Sequence, residues 1–234
     1  MQKLIVGNWK CNKSTEEVLS WRDAVRQSGQ FSKTKKFEVV LCPPTLYLPL
    51  LVDQIPGLQL GAQTVSAYPN GAYTGAISAT MLSQYVKYAI LGHAERRKYF
   101  GETCQSVAQE ARQCFDAGIT PIIGLEASSA IQQLSLLDST ELNQTVVMYE
   151  PAEAISTSAH GQAADLTAVI EAITALRQEF PVKAILYGGS VSAANVAEYI
   201  SAPSIDGVVP GAASLDSEAF IQLLRNADAA ISES

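Results

Sequence analysis

The feature that most restricts this chain is a rhythm. Short apolar runs alternate with longer segments of helical pattern, eight times over 234 residues, about 29 residues per unit. The runs fall at 4–6, 37–41, 58–62, 88–91, 120–123, 145–149, 183–187 and 207–209. Each is four to six residues or shorter and apolar on both faces, the pattern of a parallel strand covered from both sides. The helical stretches between them are expected at 14–27, 46–54, 78–85, 105–117, 128–136, 166–179, 193–200 and 217–226. The first opens on Ser14-Thr15-Glu16-Glu17, which fits a capping box. An open doubly wound sheet would carry a glycine-rich fingerprint after its first strand, and there is no G-x-G-x-x-G or Walker A motif. The rhythm therefore predicts an α/β chain closed as a (β/α)8 barrel.

Length supports one unit. Barrels of this class run to 200–250 residues as a single domain, and no linker or shift in composition divides the chain, so 1–234 is read as one domain. Hydrophobic residues at 47% and charged residues at 17% suit a globular core and exclude a disordered chain. No apolar run reaches the ~18–20 residues a membrane helix needs, and Met1-Gln2-Lys3-Leu4 leads directly into a strand without signal-peptide architecture. A cytoplasmic protein that does not engage a membrane is expected.

Charge narrows the partners. Sixteen basic residues against twenty-three acidic ones give a net charge of −7, and the short Lys33-Thr34-Lys35-Lys36 cluster reads as a solvated turn. No nucleic-acid partner is expected. An anionic ligand would be repelled slightly by the global field, so local donors must hold it. The cysteines Cys11, Cys42, Cys104 and Cys114 are too scattered for a zinc site and read as buried, reduced thiols. There is no H-E-x-x-H and no carboxylate cluster; neither a metal nor another cofactor is expected.

In such a barrel the site lies at the C-terminal ends of the strands. The first strand ends in Asn8 and Lys10, the fourth in His93 and Glu95, and the sixth in Glu150. The last two end in Gly188-Gly189-Ser190 and Gly211-Ala212. A single charged residue at a strand end is usually a surface group; ionisable groups ending three strands of one mouth point to a site. Abstraction of a proton beside a carbonyl needs a carboxylate and, opposite it, fixed donors for the oxyanion. Asn8, Lys10 and His93 offer an amide, a cation and an imidazole. Glu95 pairs either with Lys10, holding it in place, or with Arg96 or Arg97 as a surface pair. The Gly-Gly and Gly-Ala turns let backbone N–H groups approach a phosphate.

Five segments carry a resemblance: Val6-Gly7-Asn8-Trp9-Lys10, Gly71-Ala72-Tyr73-Thr74-Gly75, Leu91-Gly92-His93-Ala94-Glu95-Arg96-Arg97, Tyr149-Glu150-Pro151 and Tyr187-Gly188-Gly189-Ser190-Val191. In this order they resemble the triosephosphate isomerases over almost the whole chain. The resemblance implies a TIM barrel that interconverts dihydroxyacetone phosphate and D-glyceraldehyde 3-phosphate through an enediolate, in glycolysis and gluconeogenesis, without a cofactor. It implies Glu150 as the base, His93 as a neutral imidazole polarising the carbonyl, and Lys10 stabilising the enediolate and phosphate. Asn8 and Glu95 complete the catalytic set. Ser156, Ser190, Gly211 and Ala212 are implied at the phosphate. A homodimer through loop 63–78, with Thr74 reaching the neighbouring site, is implied as well.

The chain departs from the family's pattern. The lid usually reads Glu-Pro-Val-Trp-Ala-Ile-Gly-Thr-Gly; here it is Glu150-Pro151-Ala152-Glu153-Ala154-Ile155-Ser156-Thr157-Ser158, and Ala159 to Ala164 lengthen it. Ala212 replaces a glycine and follows the stiff Pro210. Ala76 replaces an acidic residue, which removes a partner expected for Arg96. His160, in the lid, is assigned no role. Two other readings remain: a catalytically retired barrel that binds a phosphate metabolite or a protein partner, and a Schiff-base aldolase. The aldolase is disfavoured because a carboxylate beside Lys10 favours its protonated form.

Overall fold

The computed structural model describes residues 2–31, 36–151 and 164–231. Eight strands close on themselves in sequence order: β1 (Lys3–Asn8), β2 (Phe37–Cys42), β3 (Leu58–Ala62), β4 (Tyr88–Leu91), β5 (Thr120–Leu125), β6 (Val146–Tyr149), β7 (Ala184–Tyr187) and β8 (Gly207–Val208). Every neighbouring pair is parallel, and β1 pairs with both β2 and β8. The expected (β/α)8 barrel is the observed one.

Alternation along the strands sorts side chains into two cores. One set fills the barrel: Leu4 and Val6 from β1, Ile90 from β4, Ile122 from β5, Val146 and Met148 from β6, with Ala184 and Leu186 from β7. The intervening residues, such as Ile5, Leu91, Ile123, Val147 and Ile185, point outward into the layer beneath the helices. The same period of two carries Asn8 and Glu150, next in the inward series of β1 and β6, to the C-terminal rim of the lumen.

The helices are α1 (Thr15–Ser28), α2 (Leu48–Leu51), α3 (Ala79–Leu82), α4 (Ala94–Phe100), α5 (Cys104–Asp116), α6 (Ala130–Leu134), α7 (Ser139–Leu142), α8 (Leu166–Glu179), α9 (Val196–Ser201) and α10 (Ser217–Ala230). The capping box of α1 is present: Glu17 N–H donates to Ser14 Oγ and Ser14 N–H to Glu17 Oε2. The helix expected at 46–54 is instead a 3-10 turn, Thr45–Tyr47, followed by the single turn of α2. Pro49 has no N–H and fits only the first turn of a helix, and Asp53 ends the segment at φ +58°. The 78–85 and 128–136 segments shrink to α3 and α6. The helix at 193–200 starts late because Asn195 Oδ1 accepts the Ser192 N–H in a turn. Helices α4 and α7 were not anticipated.

Two tryptophans join the ends of the barrel sheet. Trp9, fully buried, meets Trp21 edge to face with centroids 5.0 Å apart. Both indole N–H groups donate to Ser214 O, at 2.9 and 3.2 Å. This fixes the 3-10 turn Ala212–Ser214, just beyond β8, against the exit of β1. Of the basic cluster, Lys33 and Lys35 lie outside the described residues, while Lys36 donates to Asp228 O and Ile231 O at the end of α10. It acts as a helix C-terminal cap.

Candidate active site

β1 delivers Asn8 and Lys10 to the rim. Lys10 adopts φ +53°, a left-handed conformation that costs a non-glycine residue roughly 1–2 kcal/mol. Three hydrogen bonds hold it there: its N–H donates to Asn8 Oδ1 at 3.0 Å, and Gln63 Nε2 donates to both Lys10 O and Cys42 O at 2.9 and 2.8 Å. Lys10 Nζ reaches Glu95 Oε1 at 2.6 Å. Of the three partners open to Glu95, the lysine is therefore the one it takes. Arg96 pairs with Glu102, so it has a carboxylate within its own chain despite Ala76.

β4 is followed by Gly92, whose φ of +60° turns the chain so that His93 caps α4. His93 Nδ1 accepts the Glu95 N–H at 3.1 Å. An imidazole that accepts at Nδ1 carries its proton at Nε2. Burial pushes the His93 pKa down to about 4, with the Glu95 charge opposing and Lys10 and Arg96 assisting. The ring is thus a neutral donor at Nε2 across the neutral pH range.

β6 brings up Glu150, which is 1% exposed. Its Oε2 accepts the Ala94 N–H at 3.1 Å and its Oε1 stands 3.3 Å from His93 Nε2. Burial raises its pKa to about 8; the Ala94 N–H and Lys10 pull it down, and Glu126 and Glu95 push it further up. A carboxyl whose proton affinity lies near neutrality suits a general base. Gly124 leaves the room: a Cβ there would lie 2.6 Å from Glu150 Oε2 and 3.0 Å from His93 Cα.

Across the rim, Gly211 lies beside Lys10, a Cβ at Gly211 falling 3.6 Å from Lys10 Cε. Asn8 N–H donates to Pro210 O at 2.9 Å. Ala212 opens the 3-10 turn that the tryptophans anchor, and Ser190 follows β7 with its carbonyl accepting from Asn195 Nδ2 at 3.0 Å. Ser156, with Glu153, Ser158 and His160, lies outside the described residues. The structure thus brings together Asn8, Lys10, His93, Glu95, Glu150 and Gly211. Gln63, Gly124 and the Ala94 N–H were not picked out from the sequence. Gln63 directly follows β3, so the strand-end rule alone would have reached it. Among the described residues no group of three or more His, Cys, Asp or Glu side chains is placed to hold a metal ion.

A cavity of about 310 Å³ opens from this rim, lined by Asn8, Lys10, Gln63, His93, Glu95 and Arg96, and by Phe100 and Thr45. Fold and site define a (β/α)8-barrel enzyme working by acid–base chemistry. The family model of triosephosphate isomerase matches residues 3–227. The crystal structure of triosephosphate isomerase from Bartonella henselae superposes with a TM-score of 0.83 at 25% identity, over 97% of this chain and 99% of that one. The chain belongs to the triosephosphate isomerase family.

Proposed function

We propose that this single-domain barrel interconverts dihydroxyacetone phosphate and D-glyceraldehyde 3-phosphate, as a step of glycolysis and gluconeogenesis, with Glu150 and His93 as the reacting pair. Glu150 takes the proton from the carbon beside the carbonyl. The C–H electrons move into a carbon–carbon double bond, and the carbonyl π electrons go to oxygen. His93 Nε2–H and Lys10 stabilise that oxygen; His93 gives it the Nε2 proton and takes the proton of the neighbouring hydroxyl in exchange, so the new carbonyl forms as Glu150 returns its proton at the neighbouring carbon. Asn8 adds an amide donor and Glu95 orients Lys10. Ser156, Ser190, Gly211 and Ala212 hold the phosphate.

The observation that carries this reading is the 3.3 Å approach of His93 Nε2 to Glu150 Oε1 in a buried rim, with Lys10 at the same mouth. Base and electrophile must face one small substrate from fixed positions, and proximity of that kind supplies much of the rate. The test is a coupled assay with D-glyceraldehyde 3-phosphate, run with and without borohydride. Turnover insensitive to borohydride is expected. Absence of turnover refutes an isomerase, and borohydride inactivation would indicate a Schiff base.

The proposed assembly is a homodimer, with Thr74 of loop 63–78 entering the neighbour's cavity. Supporting it, Leu46, Tyr73, Ile77, Met81 and Phe100 expose apolar surface, Leu46 and Phe100 at 68% and 71%. Tyr68 and Tyr73 stack at 4.7 Å within the loop. Sedimentation of the wild type and of Thr74→Arg tests it: a dimer that the arginine dissociates is expected. A cytoplasmic location fits four free cysteines. Among the described residues no helix is long and apolar enough to cross a membrane.

A further inference from the structure

Among the described residues, two buried side-chain oxygens lack a hydrogen-bond partner: Oε2 of Glu102 and Oε2 of Glu110. Glu102 lies in the turn between α4 and α5. Glu110 sits on the buried face of α5, among Val107, Ala111 and Cys114, and is 5% exposed. The Glu102 side chain is 8% exposed. An ionised oxygen left unpartnered in such a place is costly, and more so here because the Glu102 charge also acts on Glu110.

The cations nearby are committed elsewhere. Arg96 gives its Nε to the other oxygen of Glu102 and lays its guanidinium 4.9 Å from the Phe100 ring centroid. Arg97 donates to Gly92 O, Gly124 O and Gln133 Oε1, all neutral, with Cys104 Sγ at 3.7 Å from a further nitrogen. One turn on from Glu110, the Cys114 thiol is held neutral by burial, with Glu110 adding to the effect. Elements α3, β5 and α6, packed on α5, contribute no ionisable side chain, and Tyr88 of β4 is engaged with Glu38.

We propose that Glu102 and Glu110 hold one proton between them in the folded chain. One carboxyl oxygen carries an O–H and donates it to the orphan oxygen of the other. No bond breaks besides that of the proton to solvent. The pair then presents a single negative charge, which Arg96 balances. Because Arg96 also lines the cavity beside Lys10 and Glu95, the shared proton sets the charge directly behind the mouth of the site. The electrostatics agree: burial first, then the Glu102 charge, raise the Glu110 pKa to about 8 against the pull of Arg96 and Arg97.

The folded chain keeps this proton near neutral pH, whereas an unfolded glutamate has lost it. Unfolding at pH 7 must therefore release it. Proton release on denaturation of the intact chain by urea, measured at pH 7, is expected to fall by about one proton in Glu110→Gln. Release equal to that of the wild type overturns the proposal. Glu150→Gln, which removes a different raised carboxyl, is the additive control. Should Glu110→Gln fail to fold, infrared spectra of the Glu150→Gln chain decide: a carbonyl band from a buried protonated carboxyl is expected at pH 7 and is lost in alkali. Absence of that band overturns the proposal equally. Sharing itself is read from Glu102→Gln, which should lower the proton affinity of Glu110 roughly tenfold or more; an unchanged titration sinks the pair.

Discussion

Glu150 and His93 face each other at the rim of the barrel, Oε1 3.3 Å from Nε2, while the second carboxylate oxygen is occupied by the Ala94 N–H. The proposed base is thus held by the first turn of α4, the same helix that His93 caps. Substitution Glu150→Gln keeps the shape and the acceptor for Ala94 but removes the proton acceptor. It should lower kcat by roughly 10²–10⁴-fold. Binding of a phosphate-bearing substrate analogue should be largely kept. A kcat near that of the wild type would refute the assignment.

The same carboxyl makes stability depend on pH. Its pKa is raised to about 8 in the fold, so the folded chain holds a proton that the unfolded chain loses above about 4.5. Stability is therefore lost as pH rises between these values, by up to about 1.4 kcal/mol per pH unit for this group. Glu150→Gln, neutral at every pH, should melt increasingly above the wild type from pH 5 to about pH 8 and by a constant margin beyond. Parallel melting temperatures would show that Glu150 is already ionised in the fold.

His93 works in the opposite direction. With its pKa lowered to about 4, the unfolded chain binds the proton that the folded one refuses between about 4 and 6.5. Its contribution to stability grows as pH rises through that window. Nitrogen NMR of labelled histidine at pH 5.5 should show a neutral ring with its proton on Nε2. An imidazolium at that pH would exclude the neutral ring that accepts at Nδ1. His93→Ala should cost roughly 2.7–4 kcal/mol of transition-state stabilisation, against a few-fold change or less for His160→Ala.

Much of this was legible in the sequence, for identifiable reasons. The barrel follows from short runs apolar on both faces, and Asn8, Lys10, His93 and Glu150 follow from lying at strand ends. Helix α4 was not legible because it buries none of its residues and so has no apolar stripe. Helix α7 is a single turn marked only by its Asp138–Glu141 capping box. The choice of Lys10 by Glu95 joins residues 85 apart, and only barrel closure brings them together. Gly124 and Ala94 act through absent atoms and a backbone N–H, which side-chain identity does not advertise.

Gly124 tests how tightly the carboxyl is seated. A methyl there would sit 2.6 Å from Glu150 Oε2 and 3.1 Å from Gly92 O. One of these is a backbone atom, so the side chain of Glu150 must yield. Gly124→Ala should therefore lower kcat by about tenfold or more, since misplacement by an ångström can cost as much as 10²-fold. KM should change less, because Gly124 faces the base. A fully active Gly124→Ala chain would show that Glu150 works from another position.

Gln63 is the remaining support. Its amide nitrogen serves Lys10 O and Cys42 O together, tying the left-handed Lys10 peptide to the end of β2. Gln63→Met keeps length and volume but has no donor. Lys10 would then keep the Asn8 hydrogen bond and the Glu95 pair but lose this tie, and its backbone could relax out of the strained region. Two carbonyls lose a partner, at a cost of about 1–3 kcal/mol each where water does not replace it. The cavity beside them admits water, so the loss of melting temperature should be small. The loss in kcat/KM should be larger, about tenfold, because Lys10 Nζ moves relative to His93 and Gly211. Measuring both separates the cases. A variant that melts early yet keeps kcat/KM within about two-fold would make Gln63 a purely structural clamp, with Lys10 held in place by the rest of the rim.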